Sequence, residues 1–411
     1  MAESLPKKST LSPLTLIFLT IFIDMIGFGI VIPVLPVYAE GAKFHATPTQ
    51  MSILIGIFSL LQLLCSPIFG KISDRFGRKP VLTLSIFGTA VGFLVTGLAS
   101  SYWILLLGRI IDGASGGNIS TGMACIADVT TKENRSKAMG LIGAAFGLGF
   151  MIGPAMGGVL GKISPALPFF VASGMALINC GLVAWRLPET LTPEVRSRNK
   201  ERANLGEVFS HGRSVLISMI LASQFASIVG FSIMTSLFAL FCQKRFGLDI
   251  AHTGWIFFYV GFLGVVMQGG VLRRLLRKPI EKQLALAGAA ILAISMYFLP
   301  QTPPSWGLLL LVCTGISIGN SLVTPTMNGL ASRSSDAHTQ GRVLGLVASA
   351  GSLGRFIGPL IAFHLLHFDA TGQYARTSFL ASSGILILAT LFIVCIKPHA
   401  QLEPVIAKPA M

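Results

Sequence analysis

The sequence predicts an all-α integral membrane protein with 12 transmembrane helices in two six-helix bundles. Its 411 residues are 53% hydrophobic and only 11% charged. The apolar runs are repeatedly about 20 residues long, which is the length that a helix needs to cross the hydrocarbon layer. The charges are gathered between these runs and do not follow one face of each helix, as they would in a soluble protein.

Alternate connections between the apolar runs are rich in Lys and Arg, as the positive-inside rule predicts for cytoplasmic loops. We therefore expect a multi-pass protein of the inner membrane with both termini in the cytoplasm. The first run is long enough to be kept as a helix and not removed as a signal peptide. The predicted spans are 14–36, 49–70, 80–99, 102–127, 138–160, 167–187, 212–241, 252–272, 283–300, 305–330, 341–365 and 375–396.

The net charge of +15 does not indicate a nucleic-acid partner, because the basic residues lie in loops and form no basic arm with interleaved aromatic residues. The six cysteines are scattered and show neither CxxC nor Cys/His spacing, so no metal, disulfide or cofactor is expected. The expected partners are a small-molecule substrate, protons and the lipid bilayer, and the expected state is a monomer.

A polar segment divides the chain into two similar halves. We predict bundles at 1–187 and 212–411, joined by a cytoplasmic linker at 188–211. Arg78-Lys79-Pro80 recurs as Arg277-Lys278-Pro279, and Gly153-Pro154 recurs as Gly358-Pro359. Related parallel bundles with a substrate site near the membrane midplane are typical of alternating-access transporters.

The connection after the second span carries the most specific pattern, G-x3-D-R-x-G-R-K. Gly77 permits a tight turn, Asp74 is placed to accept hydrogen bonds from free amides at a helix start, and the basic residues face anionic headgroups. The fifth span repeats small residues around Pro154, which lets helices approach closely and can bend the span. Ordinary tight packing of small residues is the alternative.

These stretches resemble the major facilitator superfamily. The connection is similar to its signature loop, and Arg109 with Gly113 to its conserved-arginine motif. The fifth-span residues Gly149, Gly153, Pro154, Gly157 and Gly158 are similar to the motif of its drug:proton antiporters. The first span from Asp24 to Pro36 and the end of the fourth span at Asp128 resemble tetracycline exporters. The resemblance implies the major facilitator fold, and it makes the following residues candidates for conformational gating: Gly70, Asp74, Arg75, Gly77, Arg78, Lys79 and Asp128.

The resemblance also implies proton-coupled efflux of drug-like or amphiphilic molecules, with tetracyclines among the candidates. This chain departs from the tetracycline exporters at three positions, where Gly92, Gly264 and Leu292 stand in place of acidic, polar or ionisable residues. The alternative is a proton-coupled importer or exporter of a sugar, siderophore or organic acid.

Four strongly ionisable residues lie inside the spans and away from their ends: Asp24, Arg109, Asp112 and Arg355. Each is costly in hydrocarbon and should face a partner or a wet cavity. Asp24 and Asp112 lie about 13–15 Å deep. We expect both to exchange protons and Arg109, three residues from Asp112, to bias them. The alternative is a static Arg109–Asp112 pair that only orients helices.

Further residues in the spans are candidates for substrate contacts, although each is equally suited to an interhelical hydrogen bond or to packing. A remote alternative is an intramembrane serine protease, because Gly113-Ala114-Ser115-Gly116 resembles the rhomboid nucleophile motif. The predicted substrate contacts are Phe28, Gln62, Asn118, Gln224, Phe231, Gln268, Asn320 and Arg355.

Overall fold

The computed structural model describes residues 12–130, 132–191, 214–276, 280–335, 339–370 and 372–396, and they form helices joined by short connections. The first half contains α1 (Pro13–Glu40), α2 (Pro48–Phe76), α3 (Arg78–Leu98), α4 (Tyr102–Ala114), α5 (Asn118–Val129), α6 (Lys132–Ile163) and α7 (Leu167–Arg186). The second half contains α8 (Ser214–Phe246), α9 (Ile250–Val266), α10 (Glu281–Phe298), α11 (Trp306–Arg333), α12 (Gln340–Leu365) and α13 (Arg376–Cys395).

Eleven segments of the described chain are long and apolar enough to cross a membrane as single helices. The fourth predicted span is present but is broken into α4 and α5 by a turn at residues 115–117. Gly116 and Gly117 weaken the helix there, since glycine has low helix propensity. The amide of Gly116 donates to the carbonyl of Gly113, which closes the turn at 3.1 Å. The all-helical membrane fold is confirmed, while the fourth span is not one continuous helix.

Proline and hydroxyl residues set the starts of the first two helices. Ser12 caps α1 by accepting from the amide of Thr15 at 3.2 Å, and Pro13 takes the first helical position. Thr47 and Gln50 form a reciprocal capping box at the start of α2, with Pro48 after the cap. Both devices satisfy amides that have no partner within the helix.

The packing of the first half is repeated in the second half. In the first half α1 packs against α6, and α3 packs against α4 and α7. In the second half α8 packs against α12, and α10 packs against α11 and α13, which are the helices at the corresponding positions. The division at 188–211 stays a prediction, because residues 192–213 lie outside the described part of the chain, as do Arg277, Lys278 and Pro279.

The most extensive contacts between the halves in the described chain are those of α6 with α9 and of α2 with α12, and α1 also contacts α8. Glycines let the backbones of α6 and its neighbours meet. A Cβ at Gly153 would lie 2.6 Å from the carbonyl oxygen of Ile26 in α1, and a Cβ at Gly158 would lie 2.7 Å from that of Ile250 at the start of α9. One face of α6 therefore contacts its own half and another face contacts the second half.

The halves are also joined by ion pairs at the end of the bundle opposite to the Gly77 connection. Lys162 at the end of α6 lies 3.3 Å from Asp249, which caps α9. Lys244 at the end of α8 pairs with Glu40 at the end of α1. We call these two pairs the end clamp.

Candidate functional site

A buried ion pair lies at the end of α4, next to the break in the fourth span. Nη1 of Arg109 donates to Oδ2 of Asp112 at 2.8 Å, and each side chain is only 5% exposed. The guanidinium also lies over the ring of Phe58 in α2, 4.6 Å from its centroid. Residues three apart share a helix face, so the sequence spacing correctly placed the two charges together.

Helix α3, the third span, packs closely against Asp112. A Cβ at Gly92 in α3 would lie 2.7 Å from the amide nitrogen of Asp112, so only glycine fits at this crossing. The side chain of Thr89, three residues earlier, lies near the carboxylate of Asp112. The acid on α4 thus lies directly against the position of α3 where the sequence lacks one.

Asp24 is half-buried as the twelfth of the 28 residues of α1. Nδ2 of Asn118 donates to its Oδ1 at 2.5 Å. Asn118 is the first residue of α5, so the break in the fourth span places this amide beside α1. The carboxylates of Asp24 and Asp112 are close enough to interact electrostatically. Asp24, Arg109, Asp112 and Asn118 form what we call the polar cluster.

Aromatic and amide side chains border the polar cluster. Phe28, one turn after Asp24, packs on Phe58 with a ring-centroid distance of 5.8 Å. Gln62, one turn after Phe58, lies against the turn between α4 and α5, where a Cβ at Gly116 would approach its Cγ at 3.0 Å. The structure therefore brings three predicted substrate contacts, Phe28, Gln62 and Asn118, to one place.

The other predicted substrate contacts lie in the second half. Gln224 and Phe231 are on α8, and Asn320 is on α11. Arg355 is on α12, while Gln268 is exposed in the π-helical stretch Met267–Leu272 that follows α9. Gln268 lies 18 residues beyond the start of α9 and thus far from the end clamp.

Arg78 binds three side chains at the start of α3. Its guanidinium contacts Asp74 at 2.8 Å and Asp128 at 3.0 Å, and it donates to Ser73 at 2.6 Å. Asp74 is in the last turn of α2 and Asp128 is near the end of α5. The predicted gating residues Asp74, Arg78 and Asp128 are therefore one contiguous network that ties α2 and α3 to α5.

Glu189 caps α3, a role that the sequence suggested for Asp74. Its carboxylate accepts from the backbone amides of Arg78 at 2.8 Å and Lys79 at 3.1 Å. Asp74 is directed at the guanidinium of Arg78 because both residues flank the same turn. Gly77 has φ +109° in that turn, a conformation that other residues rarely adopt. Gly70 and Arg75 lie in the last two turns of α2.

One acid of the end clamp, Asp249, lies outside the spans and has a shifted pKa. Asp249 accepts from the backbone amide of His252 at 2.8 Å and also contacts the His252 ring and Lys162. These contacts, the backbone hydrogen bond first, lower the pKa of Asp249 below its usual value. The acid thus stays charged, and able to pair with Lys162, throughout the neutral range.

Ser115, the residue of the protease alternative, ends α4. Its carbonyl accepts from the hydroxyl of Ser85, and its side chain fills the space above Gly88. The tetrapeptide thus joins α4 to α3 by close packing. Phe58, Thr89, Glu189 and Glu40 were not singled out from the sequence, although each contacts a predicted residue or closes a helix end.

Membrane-spanning helices in two similarly packed halves, with a buried polar cluster in one half, define a polytopic membrane transporter. The family model described as Major Facilitator Superfamily matches residues 17–359. The chain belongs to the major facilitator superfamily. This confirms the family and fold that the motifs implied.

Curated relatives of this chain include resistance proteins. The chain is 32% identical over 346 residues to the tetracycline resistance protein, class B, of Escherichia coli, covering 82% of this chain and 84% of that one. It is 30% identical over 377 residues to multidrug resistance protein 1 of Bacillus subtilis, covering 91% and 95%. Among solved structures, the human organic anion transporter MFSD10 (TETRAN) matches with a TM-score of 0.69 at 23% identity, covering 92% of this chain and 98% of that one.

Proposed function

We propose that this transporter exports drug-like or amphiphilic small molecules in exchange for protons. The observation that carries the proposal is the polar cluster, in which two carboxylates and one arginine lie together inside the first half. Ionisable groups at such depth are costly and are typical of proton relays and substrate pathways. The relatives named for tetracycline and multidrug resistance support export as the direction.

The coupling step follows from the partners of the two acids. Asp24 is held by one amide, and Asp112 by Arg109. Protonation of Asp112 removes the charge that neutralises Arg109, so the guanidinium must find another partner or the helix must move. Asp112 lies just before the break between α4 and α5, and Asp24 contacts Asn118 just after it. A change in the charge of either acid therefore acts at the break in the fourth span.

Alternating access requires the halves to rock, and we assign these halves to residues 1–187 and 212–411 with the linker 188–211. The contact of α6 with α9 is suited to such movement, since glycines at positions 158, 254 and 261 let the two helix backbones lie close together. By the positive-inside rule we assign the end clamp to the external face of the inner membrane and both termini to the cytoplasm. In this assignment the clamp is an external gate, and the Arg78 network lies on the cytoplasmic side.

The substrate class is wider than tetracycline. Leu292 is buried and packs on Gly319, whose added Cβ would lie 2.9 Å from it, so the ninth span offers no ionisable contact there. Gly264 likewise has no side chain to offer. Asp112 lies against Gly92, however, and supplies a carboxylate from α4 where the third span lacks one. We therefore propose amphiphilic drugs as the general class.

The test is proton-driven uptake of a fluorescent amphiphile, ethidium, into inverted vesicles. Asp24→Asn should abolish accumulation driven by a proton gradient and retain exchange of labelled for unlabelled ethidium. Asp369→Asn is the matched control, because Asp369 lies between α12 and α13 and holds the amide of Thr377 through one oxygen. Proton-driven accumulation of ethidium by Asp24→Asn at the wild-type rate would refute the coupling assignment. Movement of ethidium out of the inverted vesicles by the wild type would favour the importer alternative.

A further inference from the structure

Arg355 is a cation inside the membrane, and no acid in the described part of the chain pairs with it. It is the sixteenth of the 26 residues of α12 and therefore lies near the middle of that span. Its Nη2 donates to Oγ of Ser352 at 2.9 Å. Among the described residues no carboxylate lies within ion-pair distance of it, whereas Arg109 and Arg78 are each neutralised by an acid.

The guanidinium faces the contact between α12 and α8. A Cβ at Gly351, one turn earlier, would lie 3.7 Å from its Nη1 and 3.9 Å from Ile228 of α8. Gln224, one turn before Ile228, is only 4% exposed and its Oε1 has no partner in the described part of the chain. The buried hydroxyl of Ser227 on the same helix is equally unsatisfied. Two polar groups that have no partner in the described part of the chain thus lie on α8 within one turn of Ile228, which packs against α12 one turn before Arg355.

The chemistry of such a site is specific. A guanidinium presents parallel N–H donors that match the two oxygens of a carboxylate. A single arginine suits a singly charged head more than a phosphate dianion. Phe231, two turns after Gln224 on the same face of α8, is partly buried and offers an apolar surface for the rest of the molecule.

We propose that Arg355 binds the carboxylate of an amphiphilic organic anion, so that anionic amphiphiles are a substrate class of this transporter. The inference rests on the proposed export function for its biological meaning, but the binding site itself is testable without transport. Arg355 then anchors the substrate on the second half, while the polar cluster handles protons on the first half.

The experiment measures how tightly carboxylic acids and their primary amides bind to the purified full-length protein in nanodiscs. Each amide has a shape similar to that of its acid but carries no charge. Three pairs with naphthyl, biphenylyl and fluorenyl bodies are measured by isothermal titration calorimetry. Wild type should bind the acid of at least one pair about 10- to 100-fold more tightly than the amide, as expected for a charged hydrogen-bonded contact. Arg355→Gln should bind acid and amide alike, and Arg355→Lys should keep part of the preference.

Arg376→Gln is the matched control, because Arg376 is an exposed arginine at the start of α13 and hydrogen-bonds to Gln373. It should keep the wild-type preference. Absence of a preference for the acid in all three pairs, or a full preference in Arg355→Gln, would overturn the proposal. Thermal unfolding of each variant shows that it is folded.

The acid and amide pairs, measured together with ethidium, separate the anion site from the proposed export function. If wild type prefers the acid through Arg355 but no probe accumulates under a proton gradient, proton-coupled export fails and the anion site stands. If ethidium accumulates under a proton gradient while Arg355→Gln leaves the acid preference intact, export stands and the anion site fails.

Discussion

The side-chain amide of Asn118 donates a 2.5 Å hydrogen bond to the carboxylate of Asp24, and it does so from the first residue after the break in the fourth span. The turn at residues 115–117 thus stands between Asp112, which pairs with Arg109, and Asn118, which contacts the first span. The break therefore has a chemical consequence, since it gives the first-span acid its neutral partner.

Asn118→Ala should lower the rate of proton-driven ethidium uptake by about 10-fold, because a hydrogen bond to a charged group contributes about 1.5–3 kcal/mol. Asn118→Asp should lower it further, since a second carboxylate would face Asp24. Asn328→Ala, in α11 and away from this contact, serves as the control. Equal rates for Asn118→Ala and wild type would show that the contact does not serve coupling.

The Arg109–Asp112 pair allows the coupling and static hypotheses to be separated. Arg109→Met should destabilise the protein by about 3–5 kcal/mol, because it leaves a buried charge unpaired, and Arg109→Met/Asp112→Leu should recover most of that loss. Thermal unfolding in detergent measures both. If the double variant is stable and still accumulates ethidium under a proton gradient, the pair has only the static role. If the double variant is stable but has lost proton-driven accumulation, the pair has the coupling role.

Gly254→Ala should impair the contact between α6 and α9. An added Cβ at Gly254 would lie 2.6 Å from the carbonyl oxygen of Pro154, so the halves must separate to admit it. We expect a loss of about 1–3 kcal/mol in stability and at least a 10-fold loss in uptake rate. Gly174→Ala in α7 is the matched control, because open space surrounds Gly174, and it should leave both measurements near wild type.

Charge reversal tests the end clamp. Lys244→Glu should repel Glu40 and raise the population in which this end is open, by up to about 5-fold, since partly exposed ion pairs contribute about 0.2–1 kcal/mol. Electron paramagnetic resonance between nitroxide labels at positions 43 and 370, in connections of different halves, measures the opening. Glu40→Lys/Lys244→Glu restores the pairing and should restore the wild-type distance distribution; failure to do so would exclude the pair as a clamp.

Glu189→Ala should remove the cap of α3 and destabilise the protein by about 1 kcal/mol. Glu189→Gln keeps an acceptor oxygen and should lose less. Thermal unfolding of the two variants ranks them. A larger loss for Gln than for Ala would mean that the amides of Arg78 and Lys79 do not depend on this side chain.

The sequence predicts most of this fold because membrane physics leaves few choices. Apolar length fixes the spans, and small residues at Gly153 and Gly158 indicate close helix contacts that the structure contains. Spacing also pairs Arg109 with Asp112. The cap on α3 was assigned to the wrong acid, since Glu189 lies 111 residues from Arg78 and no local pattern links them. The contact of Arg109 with Phe58 was missed for the same reason, because two spans meet there only in three dimensions.

Arg355 has no acid within ion-pair distance among the described residues, and this bears on the energy source of transport. Export of a monovalent anion in exchange for one proton moves two positive charges inward per cycle, whereas export of a neutral molecule moves one. Each charge that crosses the membrane gains about 2.3 kcal/mol per 100 mV of membrane potential. An arginine that selects anions would therefore make the voltage across the membrane, and not only the pH difference, a principal driving force for this carrier.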